Sequence, residues 1–218
     1  MYNLKNVEKY LSKEEMKYCI DILDKYDENV DDSHNSHHII PVINTMMRMY
    51  YYHEKFVNMK MCIFIALLHD VGLTINPNRE NHHITSKEFV LNDKNLKKFF
   101  TNDEINTIAI AVSEHRSSIS IKTTLYSSMI SDADTLAGYS IRKLINRTYK
   151  YNINNGCNEN EIIDKMYDHL VKKYGHDGYN KFCLAESLDI SEEYTKEILY
   201  FLSDKVRFTK LANEVIIK

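Results

Sequence analysis

The sequence predicts an all-α fold. Only five glycines and two prolines interrupt the 218 residues, so few positions break regular structure. Long segments carry apolar residues three and four positions apart, which is the spacing of an amphipathic helix. Two capping boxes, Ser12–Glu15 and Thr101–Glu104, mark places where helices begin. Together these observations favour a helical bundle with additional helices near the C-terminus.

The first two predicted helices are separated by a polar stretch. The capping box at Ser12 opens the first helix, whose apolar residues are Met16, Cys19, Ile20 and Leu23. The polar residues 27–33 predict a loop. Proline is tolerated in the first turn of a helix, so Pro41 predicts that the second helix starts near residues 38–40. The apolar positions of this second helix are Ile39, Val42, Ile43, Met46, Met47 and Tyr50.

The segment from about Met59 to Asp70 is apolar on nearly all sides, which predicts a central buried helix. Gly72 follows it, as glycine often does at the end of a helix. The capping box at Thr101 opens a later helix with an apolar face formed by Ile105, Ile108, Ala109 and Val112. Further helices are expected over about 82–91, 125–149, 159–174, 178–188 and 192–214.

The composition limits the classes of function. We expect one domain over residues 1–218, with a core at about 30–150 and a C-terminal helical extension at about 151–218. The net charge of −3 provides no general attraction to nucleic acid or to an anionic membrane. No apolar run reaches the roughly 18 residues of a membrane span. The four cysteines are scattered and no apolar signal segment is present, so we expect reduced thiols and a cytoplasmic location.

A histidine–aspartate pair, His69-Asp70, ends the apolar run 61–68. Burying ionisable groups beside such a run costs several kcal/mol unless a partner compensates them. A divalent cation is one such partner, and eight of the ten histidines fall within the first 115 residues. Imidazole and carboxylate ligands suit Mn, Fe, Co, Ni or Mg. The sequence therefore predicts a divalent metal site.

Three segments over about 30–150 share the spacing of a known superfamily, namely His38-Ile39-Ile40-Pro41-Val42, Ala66-Leu67-Leu68-His69-Asp70-Val71-Gly72-Leu73 and Asp132-Ala133-Asp134-Thr135-Leu136. They resemble the HD-domain metal-dependent phosphohydrolases, an all-helical superfamily named for its His-Asp doublet. The resemblance implies that one cation is bound by His38, His69, Asp70 and Asp134. Asp132 competes with Asp134 for this role.

The similarity extends to small bacterial HD proteins without assigned substrates. Their pattern matches Arg79-Glu80-Asn81-His82-His83-Ile84-Thr85-Ser86 and His115-Arg116-Ser117-Ser118. Two-metal HD enzymes carry added histidines at positions like these, so the resemblance leaves open a second ion bound by His82 or His83 together with His115. Pro41 and Thr135 stand where the pattern has arginine, which affects how a substrate phosphate would be held.

The resemblance implies hydrolysis of a phosphate ester or anhydride, with a nucleotide or related small molecule as substrate. Asp70 or His115 would take a proton from water, and Arg116 would stabilise charge on phosphate oxygens. Arg79 and His34 are further candidate substrate contacts. Two alternatives are an HD-like two-metal oxygenase and a non-catalytic nucleotide-binding sensor. The acidic balance argues against a nuclease, and a homodimer is left open.

Overall fold

Helices provide all regular structure in residues 2–30 and 34–216, which are the residues that the computed structural model describes. The predicted all-α class is confirmed. The chain divides into two units, Met1–Ala137 and Gly138–Lys218. Within its described residues the first unit has short 3₁₀ turns at Glu8–Tyr10 and Val71–Thr74, and the helices α1 (Lys13–Asn29), α2 (Ser36–His53), α3 (Met59–Leu68), α4 (His82–Asn92), α5 (Leu96–Phe99), α6 (Asn102–Glu114) and α7 (Leu125–Ala137).

Helix α1 begins at the predicted capping box, in which the Ser12 hydroxyl accepts the Glu15 N–H and the Glu15 carboxylate accepts the Ser12 N–H. The helix runs to Asn29, so the predicted loop at 27–33 is wrong for its first residues, and 31–33 lie outside the described residues. Of the apolar residues named for this helix, Ile20 is 40% exposed. The buried stripe instead comprises Glu15, Tyr18, Cys19, Ile22, Leu23 and Tyr26.

Helix α2 begins at Ser36, where the side chain of Asn35 accepts the His37 N–H. Pro41 is therefore the sixth residue of the helix, and the predicted start at 38–40 is wrong. The helix can begin earlier because the Asn35 cap satisfies one of its first amides. Its predicted apolar face is buried from Ile39 to Met47. This start places His38 in the first turn.

Helix α3 is the centre of the first unit and packs against α1, α2, α6 and α7. Nine of its ten residues are buried, which confirms the prediction of a helix that is apolar all round. Full burial of each large aliphatic side chain contributes about 1.5–3 kcal/mol. The helix ends at Leu68, one residue before the His69-Asp70 doublet. The doublet is thus held at the end of the most deeply buried helix.

The second unit contains, within its described residues, α8 (Ile141–Asn154), α9 (Glu159–Tyr174), α10 (Ala185–Leu202) and α11 (Lys205–Ile216). The predicted continuous helix over 125–149 is wrong, because α7 ends at Ala137 and the Ser140 side chain caps the start of α8. The predicted break between 188 and 192 is also wrong. The break falls after Leu202, where Asp204 accepts the Val206 and Arg207 amides.

None of the helices in the described ranges combines the length and apolarity needed to cross a bilayer.

Gly72 allows the segment after the doublet to lie directly against α4. Its N–H donates to the Ser86 hydroxyl at 2.8 Å. A Cβ at this position would lie 2.4 Å from the His82 carbonyl oxygen and 2.7 Å from the Ser86 nitrogen. Both are backbone atoms, which cannot swing away as a side chain does. The close approach therefore requires glycine.

We expect Gly72→Ala to lower the free energy of unfolding by about 1–3 kcal/mol, the usual cost of overpacking a rigid site. Urea denaturation followed by circular dichroism measures this change. Gly138→Ala is the control, because a Cβ there would lie 3.5 Å from the Arg147 guanidinium, an ordinary contact. Equal unfolding midpoints for the two variants would contradict the prediction.

A largely buried ion pair joins α1 to α3. The Lys60 ammonium contacts the Glu15 carboxylate at 2.5 Å and also donates to the Phe99 carbonyl at 2.8 Å. Burial alone would raise the pKa of Glu15, but the hydrogen bond from Lys60 and those from Ser12 outweigh it and lower the pKa below its usual value of 4.5. The folded state therefore favours the ionised carboxylate.

We expect this preference to make stability depend on pH. A lowered pKa contributes stability above pH 4.5, and the contribution is lost as the pH falls through the lower folded value. The difference in unfolding free energy between wild type and Glu15→Gln should therefore shrink below pH 4.5, as measured by urea denaturation. Glu14→Gln makes the same charge change at an exposed position of the same turn. The prediction fails when both variants show the same pH profile.

Candidate metal centre

Six predicted site residues converge in the first unit. Among the described residues they form two groups, and the nitrogen and oxygen atoms within each group lie within 4.8 Å of one another. The first group is His38, His69 and Asp134, and the second is Asp70, His82 and His115. They come from five helices or helix ends separated along the chain. The sequence prediction that distant residues meet at one place is thus consistent with the geometry.

Most of these residues lie at helix ends. His69 directly follows α3, His115 directly follows α6, and His82 is the first residue of α4. His38 lies in the first turn of α2, and Asp134 lies within α7. Helix ends leave backbone groups without partners inside the helix, so side chains there can bond the backbone and still face a common centre.

Three imidazole rings are oriented in the same way. The Nδ1 atom of His69 lies 2.8 Å from the Ala66 carbonyl oxygen, and that of His115 lies 2.7 Å from the Val112 carbonyl oxygen. The Nδ1 atom of His82 lies 2.7 Å from a backbone carbonyl oxygen, that of Arg79. A carbonyl oxygen only accepts, so each Nδ1 carries a proton. In the neutral ring, Nε2 then presents a lone pair to the centre, as a metal ligand requires.

The first group brings its atoms close together without hydrogen-bond alignment. His38 Nε2 lies 3.1 Å and His69 Nε2 lies 4.0 Å from Asp134 Oδ1, and His69 Nε2 also lies 3.3 Å from Oδ2 of Asp70 in the second group. Both Nε2 atoms are nevertheless buried without a hydrogen-bond partner. Neighbouring ligands at roughly 2.1 Å from an octahedral ion are roughly 3.0 Å apart. The spacing therefore fits atoms that point at a shared ion.

The second group has the same spacing. His82 Nε2 lies 3.0 Å from Asp70 Oδ1, His115 Nε2 lies 3.4 Å from it, and the two Nε2 atoms are 3.1 Å apart. With both Nδ1 atoms protonated, the neutral rings present two lone pairs to each other. Asp70 Oδ1 is likewise buried without a hydrogen-bond partner. A cation among these three atoms satisfies all of them.

The local charges favour a cation. Burial raises the pKa of Asp70, but the charge of His69 and the close approach of the His115, His69 and His82 rings hold it well below its usual range. The pKa of Asp134 is also lowered, because the contact with His38 and the charge of that ring outweigh burial. Burial alone would lower the pKa of His69, yet Asp70 and Asp134 raise it to about 9. Both carboxylates are therefore ionised, and either a protonated His69 or a bound cation would balance their charge.

Two predicted alternative ligands belong to neither group. His83 lies beside His82, with a ring-centroid distance of 5.8 Å, and its Nδ1 is buried without a partner. Burial, followed by the charge of Arg116, lowers the pKa of His83 to about 4. Asp132 is buried on α7, and residues two apart on a helix point about 200° apart. Only Asp134 of this pair lies among the grouped atoms, and metal ligation by His83 or Asp132 stays a prediction.

The predicted phosphate contacts lie around these groups. The His34 ring centroid is 6.0 Å from that of His38. Arg79 is exposed, and its backbone carbonyl bonds His82. The guanidinium of Arg116, the residue that directly follows His115, donates a hydrogen bond to the Glu80 carbonyl. The charge of Arg116 reaches His83, next to the second group. The roles of the three side chains in substrate binding stay predictions.

Sequence inspection missed one residue near the doublet. The Tyr26 hydroxyl, fully buried on α1, donates to the Leu67 carbonyl at 3.0 Å. Its spacing from Cys19 and Leu23 places it on the apolar stripe of α1, so its hydroxyl gave no separate signal. Ser86, in contrast, lay within the recognised pattern, and the structure shows that it bonds the Gly72 N–H.

Comparison with known proteins agrees with this geometry. The family model described as the HD domain matches residues 36–139, a span that contains all six grouped residues. No curated protein and no solved structure matches the chain. The matched span includes the His38 segment, the His69-Asp70 doublet and the Asp134 segment in their expected order. Residues 36–139 therefore form an HD domain, the domain of the metal-dependent phosphohydrolase superfamily that the sequence resembles.

Proposed function

We propose that the protein is a divalent-metal-dependent phosphohydrolase that cleaves a phosphate ester or anhydride of a nucleotide or related small molecule. The observation that carries this proposal is the convergence of buried atoms that have no hydrogen-bond partner, His38 Nε2, His69 Nε2 and Asp70 Oδ1. A buried cluster of this kind is costly unless a cation satisfies it. The HD-domain match over residues 36–139 supports the hydrolytic class.

The ligand sets follow from the two oxygens of Asp70. Oδ2 lies on the side of the first group, so His38, His69, Asp70 and Asp134 would hold one ion. Oδ1 faces His82 and His115, which would hold a second. The donor set suits Mn, Fe, Co, Ni or Mg. A bound cation would lower the pKa of water and neutralise charge on phosphate oxygens.

With only the first group filled, the protein retains a proton acceptor. Asp70 Oδ1 lies 3.4 Å from His115 Nε2. Burial lowers the pKa of His115 despite its contact with Asp70, so its Nε2 keeps a lone pair at neutral pH. The pair would accept a proton from the attacking water as its oxygen bonds phosphorus. The bond to the leaving oxygen breaks, and that oxygen can take the proton back from His115.

Positive side chains next to the centre would bind the phosphate. Asp70 and Asp134 repel an anion, so a phosphate group requires compensating charge. The guanidinium of Arg116 lies close enough to His83 to lower its pKa, and Arg116 adjoins His115. A guanidinium can bind two phosphate oxygens at once. Arg116 is therefore proposed as the main phosphate contact, with Arg79 and His34 as further contacts.

We expect Asp70→Asn to abolish both metal binding and phosphate release, because one side chain contributes to both ligand sets. Metal content is measured by mass spectrometry after incubation with Mn²⁺. Phosphate release is measured over a panel of nucleotides. Asp103→Asn, at an exposed position in the first turn of α6, is the matched control and should keep both properties. Normal turnover in Asp70→Asn would overturn the assignment.

The two aspartates of α7 can be separated in the same assay. Asp134 Oδ1 lies 3.1 Å from His38 Nε2, whereas Asp132 is in neither group. Asp134→Asn should lose about 10–100-fold in Mn²⁺ affinity, and Asp132→Asn should retain affinity within a few fold. Isothermal titration calorimetry gives both values. The opposite ranking would assign the ligand role to Asp132.

We expect Arg116→Met to lower kcat by roughly 10²-fold while leaving Mn²⁺ affinity unchanged, since a positive charge near the transferred phosphoryl group stabilises the transition state. Steady-state phosphate release and calorimetry separate the two effects. Arg142→Met serves as the control, because it removes an exposed positive charge on α8 that lies near Glu214. An unchanged kcat in Arg116→Met would remove this residue from the mechanism.

The alternatives predict different results with the metal-loaded protein. Oxygen-dependent turnover without phosphate release would favour a two-metal oxygenase. Tight nucleotide binding without turnover would favour a sensor. Phosphate release that requires added Mn²⁺ and is lost in Asp70→Asn supports the phosphohydrolase.

A further inference from the structure

The doublet follows a helix end that is buried in the core. The last carbonyls of an α-helix have no partner inside the helix, and at α3 water does not reach them, because residues 61–68 are all buried. The Nδ1 atom of His69 donates a hydrogen bond to the Ala66 carbonyl. The next carbonyl, that of Leu67, accepts the Tyr26 hydroxyl at 3.0 Å. Helix α3 is thus capped by the candidate ligand itself and by α1.

Tyr26 also faces the backbone of the doublet. Burial raises the pKa of Tyr26, as does the charge of Asp70, while the nearby Asp70 backbone N–H acts in the opposite direction. The hydroxyl therefore bonds the Leu67 carbonyl with the Asp70 amide close by. Its side chain is fully buried, so the oxygen cannot exchange these partners for water.

The direction of the Asp70 side chain depends on this backbone. Its two oxygens lie 3.0 Å from His82 Nε2 and 3.3 Å from His69 Nε2, and they face different groups. A small rotation of the peptide between Leu67 and Asp70 would move both oxygens together. Groups that orient metal ligands through hydrogen bonds, without contacting the metal, typically contribute about 10–100-fold to metal affinity.

We infer that Tyr26 is a positioning residue for the metal centre, whose hydroxyl fixes the Leu67 carbonyl and so aims the Asp70 carboxylate at both ligand groups. This inference rests on the proposed metal centre. Tyr26 contacts neither the substrate nor the ions, and it acts only through the backbone of the doublet. It lies on α1, before the residues that match the HD domain.

Tyr26→Phe tests the inference, because it removes one oxygen and keeps the ring that fills the core. We expect the affinity for Mn²⁺, measured by calorimetry, to fall about 10–100-fold. We also expect the visible absorption of bound Co²⁺ to change in position or intensity, since that spectrum reports the geometry of the ligands. A role confined to stability would alter neither.

Tyr18→Phe is the matched control. Tyr18 lies on the same buried stripe of α1, and its hydroxyl donates to Asp93 Oδ2 at 3.0 Å, away from the doublet. Its removal should lower stability and leave Mn²⁺ affinity and the Co²⁺ spectrum unchanged. Circular dichroism checks that both variants are helical. The titrations are run in trimethylamine oxide, which favours the folded state of a destabilised variant.

The outcomes separate this inference from the proposed function. Weakened binding and an altered spectrum in Tyr26→Phe alone support the positioning role. Wild-type affinity and spectrum in Tyr26→Phe overturn that role and leave the metal centre intact. Equal losses in Tyr26→Phe and Tyr18→Phe also overturn it, because the effect is then general destabilisation. Failure of the wild type to bind either metal overturns the centre and the inference together.

Discussion

The buried charge of Asp70 is the constraint on which the rest of the first unit depends. Its carboxylate lies within 4.0 Å of four imidazole nitrogens, those of His38, His69, His82 and His115. An isolated carboxylate at this depth would be strongly destabilising. The four rings reach it from three different helices and the end of α3, so the requirement to neutralise one side chain fixes the mutual placement of most of the unit.

The fold meets this requirement by using its helix ends. The rings of His69 and His115 each bond the carbonyl three residues earlier, which completes the end of a helix and orients the ring in one step. Gly72 and Ser86 bring α4, with His82, against the segment after the doublet. The same histidines therefore complete helix ends and meet at the candidate metal centre. The geometry of the centre is set by helices and helix ends.

The sequence predicted the parts of this arrangement that follow from periodicity and from recognisable spacing. The apolar run before His69 predicted a buried helix, as found. The resemblance to HD domains pointed to His38, the doublet and Asp134, which lie close together, and their role as ligands stays a prediction. Other features depend on contacts that no local pattern encodes. The early start of α2 depends on the Asn35 cap outweighing Pro41, and the break after Ala137 depends on the Ser140 cap. Tyr26 lies at a buried position of α1, so the sequence pattern does not show that its hydroxyl bonds the Leu67 carbonyl.

Helix α1 lies outside the span that identifies the domain, residues 36–139, yet it supplies the partner of the Leu67 carbonyl and the carboxylate that pairs with Lys60. A fragment of residues 36–139 would keep every candidate metal ligand and lose these contacts from α1. The structural unit that supports the candidate ligands is thus longer than the matched span, because it includes these contacts from α1.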